Sequence, residues 1–130
     1  MLSRRNTSET KSWCQIESLN QEFLSSQFFE ENVVSFCRKT SAGIQVSHPR
    51  ISTHHCSLVY TGHKVSLEDH STNGTFVNGE KIGKGSSRHL HDCDEVVMLQ
   101  STINSVARIG FIIHFTDVIK RSLDRKRCFS

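Results

Sequence analysis

The sequence predicts an all-β fold, a sandwich or barrel of roughly nine to eleven short strands. Runs of β-branched and aromatic residues recur at spacings of roughly 8–12 residues, and turn-forming residues separate them. Apolar residues almost nowhere follow the helical period. Two Asn-Gly steps, Asn73-Gly74 and Asn78-Gly79, are strong hairpin signals, because both residue types tolerate positive φ.

The N-terminal half of the chain predicts three strands. Residues 12–19 form the first, and residues 32–39 are a β-branched and aromatic run that ends near Arg38. Residues 44–46 alternate between apolar and polar, as a short half-buried strand does. The loop that follows contains Pro49, the only proline of the chain, which restricts its backbone.

The centre of the chain predicts three more strands joined by tight turns. Residues 55–60 end at a Thr61-Gly62 turn, and residues 64–68 alternate as the next strand. The two Asn-Gly steps follow, on either side of a β-like run at residues 75–77. This pattern predicts a tightly held, exposed loop at residues 71–74.

The C-terminal part predicts two longer strands between polar segments. A small-polar loop at residues 83–88 precedes a buried strand at residues 95–99. A loop at residues 101–107 then leads to a strand at residues 108–118. Residues 120–130 are basic and predict a tail or a helical turn.

The composition is that of one globular domain. The chain has 130 residues, of which 35% are hydrophobic and 22% charged. A net charge of +3 suits an anionic partner but lacks the dense basic stripe of a nucleic-acid-binding protein. No apolar run is long enough to span a membrane or to act as a secretion signal. We therefore expect neither a membrane nor a nucleic acid as partner.

The cysteines indicate a reducing compartment. Their number is odd and their spacings are irregular, which argues against a disulfide framework. We expect free thiols and a protein of the nucleus or the cytoplasm, with Cys56 and Cys93 as small core residues. The five cysteines are Cys14, Cys37, Cys56, Cys93 and Cys128.

Three segments are expected along the chain. Residues 1–11 predict a flexible N-terminal tail, residues 12–118 a folded domain, and residues 119–130 a basic tail or the start of a linker. Two residues are candidate phosphorylation sites. Thr7 lies three residues after an arginine, and Ser26 precedes a glutamine, as in the minimal site of damage-activated kinases.

Several polar side chains lie on predicted loops. They are Arg38 at a strand end, Ser52 and Thr53 after the proline loop, and Thr72 and Asn73 before the second hairpin. In a β-sandwich, the loops of alternate strands cluster at one end. A guanidinium can hold two phosphate oxygens, hydroxyls can donate to the others, and a carboxamide can pair with a peptide backbone. Together these groups suit a phosphate.

Three motifs, in this order and at this separation, carry a family resemblance. They are FCRK with Arg38, ISTHHC with Ser52 and His55, and STNGTFVNG at residues 71–79. On these motifs the chain resembles a forkhead-associated (FHA) domain over roughly residues 12–118. The resemblance implies an FHA-type β-sandwich of about eleven strands that binds phosphothreonine, without a cofactor and without catalysis in these residues.

The resemblance also implies a role for each matching residue. A preference for phosphothreonine over phosphoserine implies a small pocket for the threonine methyl, whose burial is worth about 0.8 kcal/mol. The implied roles are phosphate binding by Arg38, Ser52, Thr53 and Thr72, binding of the peptide main chain by Asn73, and structural support by His55, Gly74 and Asn78.

Two residues depart from the family's usual pattern. Cys37 stands where the family usually has Gly, and Thr53 stands where it often has Lys or Arg. The first adds a Cβ beside neighbouring backbone, and the second removes a cation from the surroundings of the phosphate. Lys39 or His54 can replace that cation in part. We expect a functional but weaker site.

Arg50 is a candidate for peptide specificity. It lies two residues before Ser52, at a position that in some checkpoint-kinase FHA domains selects the residue three after the phosphothreonine. An arginine there implies a preference for Asp or Glu at that peptide position. The alternative is a solvated loop arginine.

Metal binding is a competing interpretation that the spacing disfavours. The histidine and cysteine runs lack ordinary Cys-x-x-Cys spacing, and strand alternation would send His55 and Cys56 to opposite faces. We therefore predict no metal site. The two runs are His54, His55 and Cys56, and His89, His91 and Cys93.

Catalysis and nucleic-acid binding are also disfavoured. The chain has no nucleophile elbow, phosphate-binding loop or kinase signature. Cys37 and His55 are both present, but no sequence feature indicates that they form a catalytic pair. The basic residues at 120–127 are more typical of a solvated tail or a nuclear-targeting run.

This chain resembles the N-terminal FHA domain of checkpoint and meiotic Ser/Thr protein kinases. We therefore expect the parent protein to be a Ser/Thr protein kinase of a DNA-damage or meiotic checkpoint. The domain would then dock the kinase on phosphorylated partners or on its own phosphorylated copies. The alternative is a non-kinase scaffold in DNA repair or transcription.

Overall fold

Eleven strands in two sheets make up the described part of the computed structural model, which covers residues 11–39, 43–100 and 108–120. The strands are β1 (Cys14–Ser18), β2 (Gln27–Phe29), β3 (Val33–Cys37), β4 (Ile44–Gln45), β5 (Cys56–Tyr60), β6 (Val65–Asp69), β7 (Phe76–Val77), β8 (Glu80–Lys81), β9 (Ser87–Leu90), β10 (Glu95–Gln100) and β11 (Arg108–Phe115).

The two sheets are mostly antiparallel. One has the strand order β2-β1-β11-β10-β7-β8, and the other has the order β4-β3-β5-β6-β9. The short β4 pairs with β3 in parallel, and the remaining neighbours are antiparallel. The predicted all-β sandwich is confirmed.

One hydrophobic core lies between the sheets. Phe36 of β3 is fully buried and stacks on Phe111 of β11, with ring centroids 5.1 Å apart. Trp13 stacks on Tyr60 at 5.0 Å, and its indole N–H donates to the Glu31 carbonyl oxygen at 2.7 Å. The Phe36–Phe111 pair joins strands of opposite sheets, and Trp13, just before β1, contacts β5 of the other sheet, so the two pairs fix how the sheets face each other.

Three short strands differ from the prediction made from the sequence. Gln27–Phe29 was not predicted as a strand, and Glu80–Lys81 was implied only by its hairpin turn. The predicted loop at residues 83–88 is wrong at its end, because Ser87–Leu90 pairs with β6.

Two predictions about burial need correction or extension. Cys93 is exposed and adopts a positive φ of 72°, so its assignment to the core is wrong, whereas Cys56 is fully buried. Residues 117–120 are helical, and Ile119 packs in the core, one residue past the predicted boundary of the domain. The tail at residues 1–10, the loop at 101–107 and the end at 121–130 lie outside the described residues.

The four cysteines of the described residues are all free thiols, as expected. Burial raises the pKa of the Cys14 thiol to about 12, which keeps it protonated and unreactive. Across the described ranges, no helix is long and apolar enough to cross a membrane.

Candidate functional site

Three segments from different parts of the chain meet at one end of the sandwich. They are the end of β3 at Arg38, the β4–β5 loop at residues 46–55 and the β6–β7 loop at residues 70–75, together called the loop cluster. The Arg38 backbone N–H donates to the Ser52 carbonyl oxygen at 3.2 Å. The His70 N–H donates to the His55 carbonyl oxygen at 2.9 Å. The β4–β5 loop is therefore the shared element that contacts both of the others.

The Arg38 guanidinium lies along the β4–β5 loop. Its Nη1 donates to the carbonyl oxygens of Pro49 and Ile51 at 3.2 and 3.3 Å, and its Nη2 lies 3.2 Å from Thr53 Oγ1. These bonds hold a half-buried cation beside the hydroxyls of the cluster. Since a guanidinium carries five N–H donors, further donors remain for an anion.

Ser52, Thr72 and Asn73 connect the two loops directly. The Thr72 backbone N–H donates to Ser52 Oγ at 2.9 Å, and Asn73 Nδ2 donates to the Arg50 carbonyl oxygen at 3.2 Å. The Thr72 and Asn73 side chains are exposed, and Ser52 is half-buried. The structure thus places the five residues predicted to contact the ligand, Arg38, Ser52, Thr53, Thr72 and Asn73, in one cluster.

His55 bridges the two loops from inside the protein. It is fully buried, its Nδ1 accepts the Ser52 N–H at 3.1 Å, and its Nε2 lies 3.2 Å from the Gly74 carbonyl oxygen. Because a carbonyl only accepts, Nε2 carries the proton and the ring is neutral. Burial is the main cause that lowers the pKa of His55, against the Gly74 carbonyl and the Asp69 carboxylate, which raise it.

Asp69 organises the β6–β7 loop and was not singled out from the sequence. Its buried carboxylate accepts the Ser71 N–H at 2.9 Å and the Ser71 hydroxyl at 2.6 Å. It also accepts the Thr75 hydroxyl at 2.9 Å and the Thr75 N–H at 3.2 Å. Burial raises the pKa of Asp69, but the hydrogen bonds from Ser71 and Thr75 outweigh it, so that the pKa lies below its ordinary value.

Gly74 closes this loop at a position that requires glycine. Its φ is 107°, and a Cβ would come within 2.6 Å of Lys81 Cε. Its N–H donates to Ser71 Oγ at 2.9 Å, and its carbonyl faces His55. The tight turn keeps the neighbouring Asn73 side chain at the surface.

Asn78 supports the next turn. It has a φ of 50°, its Nδ2 donates to Asp94 Oδ1 at 3.0 Å, and its Oδ1 accepts the Glu95 N–H at 3.0 Å. These bonds hold the β7–β8 turn against the start of β10. Asn78 therefore lies next to β10 and outside the loop cluster.

The two unusual residues of the predicted site are both accommodated. Cys37 is buried at the end of β3, where its carbonyl oxygen accepts the Val46 N–H at 2.7 Å. Burial raises the pKa of its thiol, so that it remains neutral. Thr53 is exposed, with its hydroxyl beside Arg38, and therefore adds a neutral donor where a basic residue would add a charge.

Two exposed groups at the edge of the cluster complete its surface. Arg50 is exposed, and its N–H donates to His48 Nδ1 at 3.1 Å. His54 packs against His70 with ring centroids 4.5 Å apart. This contact joins the two loops, and apart from the presence of both histidines no sequence feature predicts it.

The other candidate residues are dispersed. The exposed Ser26 hydroxyl accepts the Ser18 N–H and the Gln21 side-chain amide, both at 2.8 Å, at the start of β2. Thr7 lies outside the described residues. Of the residues considered for a metal, His89 stacks on His91 at 5.2 Å, while His55 and Cys56 are both buried.

The chemistry of the cluster is that of an anion site on a surface. A guanidinium and three hydroxyls lie together, and a carboxamide lies beside them on an exposed turn. Neutral His55 and hydrogen-bonded Asp69 hold the loops from below. The arrangement offers directed donors with little side-chain freedom left to lose.

Comparison with known proteins identifies the class. The family model of the FHA domain matches residues 34–98, which is half of the chain. The chain belongs to the FHA domain family, and these residues are a binding module rather than a catalytic domain.

The similar proteins include kinases. The probable serine/threonine-protein kinase fhkA of Dictyostelium discoideum is 36% identical over 98 residues, covering 65% of this chain and 16% of the kinase. The serine/threonine-protein kinase cds1 of Schizosaccharomyces pombe is 37% identical over 70 residues, covering 47% of this chain and 15% of the kinase. The chain thus spans about a sixth of the length of these relatives.

Solved structures share the fold. The N-terminal FHA domain of S. cerevisiae Rad53p, in complex with a phosphothreonine peptide, superposes with a TM-score of 0.73 at 20% identity. The match covers 84% of this chain and 98% of that domain.

Proposed function

We propose that this FHA domain binds a phosphothreonine-containing segment of another protein through the loop cluster. The observation that carries the proposal is the convergence of Arg38, Ser52 and Thr72 on the β4–β5 loop. The Rad53p domain with the same fold is in complex with a phosphothreonine peptide, which supports the same ligand class here.

The phosphate is bound by charge-assisted hydrogen bonds. Arg38 compensates one of the two negative charges of the phosphate, the hydroxyls of Ser52 and Thr53 donate to its oxygens, and Thr72 adds a further donor. Hydrogen bonds to charged groups contribute about 1.5–3 kcal/mol each. The cost of ordering a loose peptide reduces this sum, and we expect a dissociation constant of about 1 µM, equivalent to about −8 kcal/mol.

Asn73 reads the peptide main chain beside the phosphothreonine. Its carboxamide is exposed on a turn that Gly74 and Asp69 fix, and its Nδ2 is shared with the Arg50 carbonyl. A carboxamide that both donates and accepts fits an extended peptide backbone. His55, Gly74 and Asn78 act on the fold of the site and do not touch the ligand.

Arg38→Ala tests the central role of the guanidinium. We expect loss of measurable binding in calorimetry with a phosphothreonine peptide selected from an oriented library, while the thermal unfolding transition persists. Lys64→Ala is the matched control, because Lys64 is an exposed cation in the β5–β6 turn at the other end of β5. Retained affinity in Arg38→Ala would refute the role of Arg38.

Arg50 sets the preference three residues after the phosphothreonine. Its exposed side chain lies on the loop that contacts both Arg38 and Asn73, where an extended peptide would pass. We expect Asp or Glu to be preferred at that position, and Arg50→Glu to reverse the preference to Lys or Arg. Peptide arrays that vary this position measure it, and equal binding of Asp and Ile peptides by the unmodified chain would contradict it.

The parent protein is a Ser/Thr protein kinase of a DNA-damage or meiotic checkpoint, located in the nucleus. The similarity to fhkA and cds1 supports a kinase parent. The domain docks that kinase on phosphorylated partners or on copies phosphorylated at Thr7 or Ser26. Light scattering of the phosphorylated chain tests self-association: a dimer that Arg38→Ala abolishes is expected, and a monomer in all states would contradict it.

A further inference from the structure

A second cluster of ligand-type side chains lies near the start of β10. It consists of Asp92 and Cys93 in the turn before β10, His114 near the end of β11, and Glu17 of β1. The other end of β10 approaches the loop cluster, where the Met98 backbone interacts with the His55 ring. The two clusters are therefore separated along β10, and the proposed phosphopeptide site leaves this one unused.

The donor atoms of Asp92, Cys93 and His114 converge. One carboxylate oxygen, the sulfur and one ring nitrogen all lie within 4.8 Å of one another. Cys93 Sγ is 4.0 Å from His114 Nδ1. Zinc bonded to sulfur at about 2.3 Å and to nitrogen at about 2.0 Å holds the two atoms about 3.5 Å apart at the tetrahedral angle. A small closing movement of exposed side chains therefore brings the cluster to ligation distances.

Glu17 prepares His114 for this role. Its carboxylate oxygen lies 2.9 Å from His114 Nε2 and can only accept, so Nε2 carries the proton. In the neutral ring the lone pair is then on Nδ1, which lies 4.0 Å from the Cys93 sulfur. A carboxylate on the outer nitrogen of a metal-bound histidine is the usual arrangement in zinc sites, where it fixes the tautomer and raises the basicity of the ligand.

The turn that carries Cys93 is held firmly. The Cys93 N–H donates to the Ile113 carbonyl oxygen at 2.7 Å, and the His91 N–H donates to Asp94 Oδ2 at 2.7 Å. Asp92 Oδ1 accepts the Phe115 N–H at 2.8 Å. The backbone therefore places Cys93 and Asp92 beside the end of β11 before any ion arrives.

We propose that Asp92, Cys93 and His114 bind one Zn²⁺ ion, with Glu17 as the positioning residue of His114. Sulfur, imidazole nitrogen and carboxylate oxygen are the three ligand types of zinc, and water takes the fourth position. Binding forms a zinc–sulfur bond and releases the Cys93 thiol proton to solvent. This assignment replaces the expectation of no metal site, and it uses only Cys93 of the run His89, His91 and Cys93.

The surrounding charges modulate the site. Lys120 Nζ lies 3.4 Å from Asp92 Oδ2 and competes with a cation for that carboxylate. Glu17 and Asp94 are the other carboxylates nearby, and Asp94 is already engaged by Asn78 and His91. Because Lys120 competes for its carboxylate, Asp92 is the weakest of the three ligands. Removal of the Lys120 charge should therefore strengthen zinc binding.

The proposal is tested by measuring the zinc affinity of the 130-residue chain. The assay is a competition against a chromophoric chelator in buffer that contains a phosphine reductant. One ion per chain is expected. Cys93→Ser and His114→Gln should each weaken binding more than about tenfold, and Glu17→Gln about tenfold. Lys120→Gln should strengthen it. His91→Gln and Cys128→Ser are the controls, expected to leave the affinity unchanged.

Cobalt substitution supplies an independent readout. Co²⁺ should give a thiolate-to-metal charge-transfer band in the near ultraviolet that Cys93→Ser removes and Cys128→Ser retains. Equal zinc affinity in the unmodified chain and Cys93→Ser would overturn the proposal. So would loss of binding in His91→Gln alone, which would assign the ion to the His89–His91 pair. Circular dichroism of each variant excludes misfolding, and phosphopeptide binding is a separate measurement.

Discussion

At the residue scale, the candidate site is built from side chains that hydrogen bonds already hold in place. Arg38 lies on the Pro49 and Ile51 carbonyls, and Ser52 accepts the Thr72 N–H. Ordering these side chains before the ligand arrives removes part of the entropic cost of binding. Cys37 and Thr53 differ from the usual pattern of the family, but both fit within this hydrogen-bonded arrangement.

His55 makes the stability of the domain depend on pH. Burial lowers its pKa, so that the unfolded chain takes up a proton on this residue below about pH 6.5 while the folded form stays neutral to lower pH. The unfolded state then binds more protons, and the free energy of unfolding falls as the pH decreases from about 6.5.

Urea unfolding at pH 7.5 and pH 5.5 measures this effect. The unmodified chain should lose stability between the two values, and His55→Gln should be less stable at pH 7.5 but lose less on acidification. His63→Gln, at an exposed position in the β5–β6 turn, should keep the full pH dependence. An unchanged pH dependence in His55→Gln would exclude His55 as its source.

At the element scale, the β6–β7 loop depends on one buried carboxylate. Asp69 accepts four hydrogen bonds from Ser71 and Thr75, and the loop so formed presents Thr72 and Asn73. The sequence predicted the turn from Asn73-Gly74 but not this network, because an aspartate at the end of a strand gives no sign of its burial.

Asp69→Asn should destabilise the domain by about 2 kcal/mol or more and weaken phosphopeptide binding as well. The carboxamide places an N–H₂ group opposite N–H and O–H donors, and the remaining oxygen carries no charge. Denaturant unfolding and calorimetry measure the two effects. Asp117→Asn, at an exposed position of the C-terminal helical segment, is the control and should change neither. Unimpaired stability of Asp69→Asn would contradict the assigned role.

The carboxylate also contributes an acid limit to stability. The pKa of Asp69 is below its ordinary value in the folded protein, so its contribution is complete above about pH 4 and is lost as the pH falls through the lower, folded pKa. This window lies below that of His55.

At the scale of the whole molecule, the strands predicted from sequence are those whose own residues alternate or form apolar runs. β1, β3, β4, β5, β6, β10 and β11 belong to this group. Gln27–Phe29 is only three residues long and exists through its pairing with β1. Ser87–Leu90 has one buried residue, Leu90, and owes its conformation to the register with β6. Such edge strands are determined by their neighbours, which a local pattern does not contain.

The residues of the candidate site also divide into those that the sequence could predict and those that it could not. Arg38, Ser52 and Asn73 could be found because their motifs and separations resemble those of a known family. Asp69 and the His54–His70 contact depend on three-dimensional proximity. Cys93 was misassigned because small apolar character suggests burial, whereas the residue lies in a turn at positive φ. His114, which faces the Cys93 sulfur, and Glu17, which contacts His114, are distant from it in sequence.

The most direct test of the central claim is an amide chemical-shift map of the 130-residue chain, titrated with a phosphothreonine peptide. The largest changes should fall on Arg38, residues 50–55 and residues 71–74, with the unphosphorylated peptide producing none. The turn at residues 91–94 should be unaffected. Changes centred outside the loop cluster, or equal changes with the unphosphorylated peptide, would contradict phosphothreonine recognition by these loops.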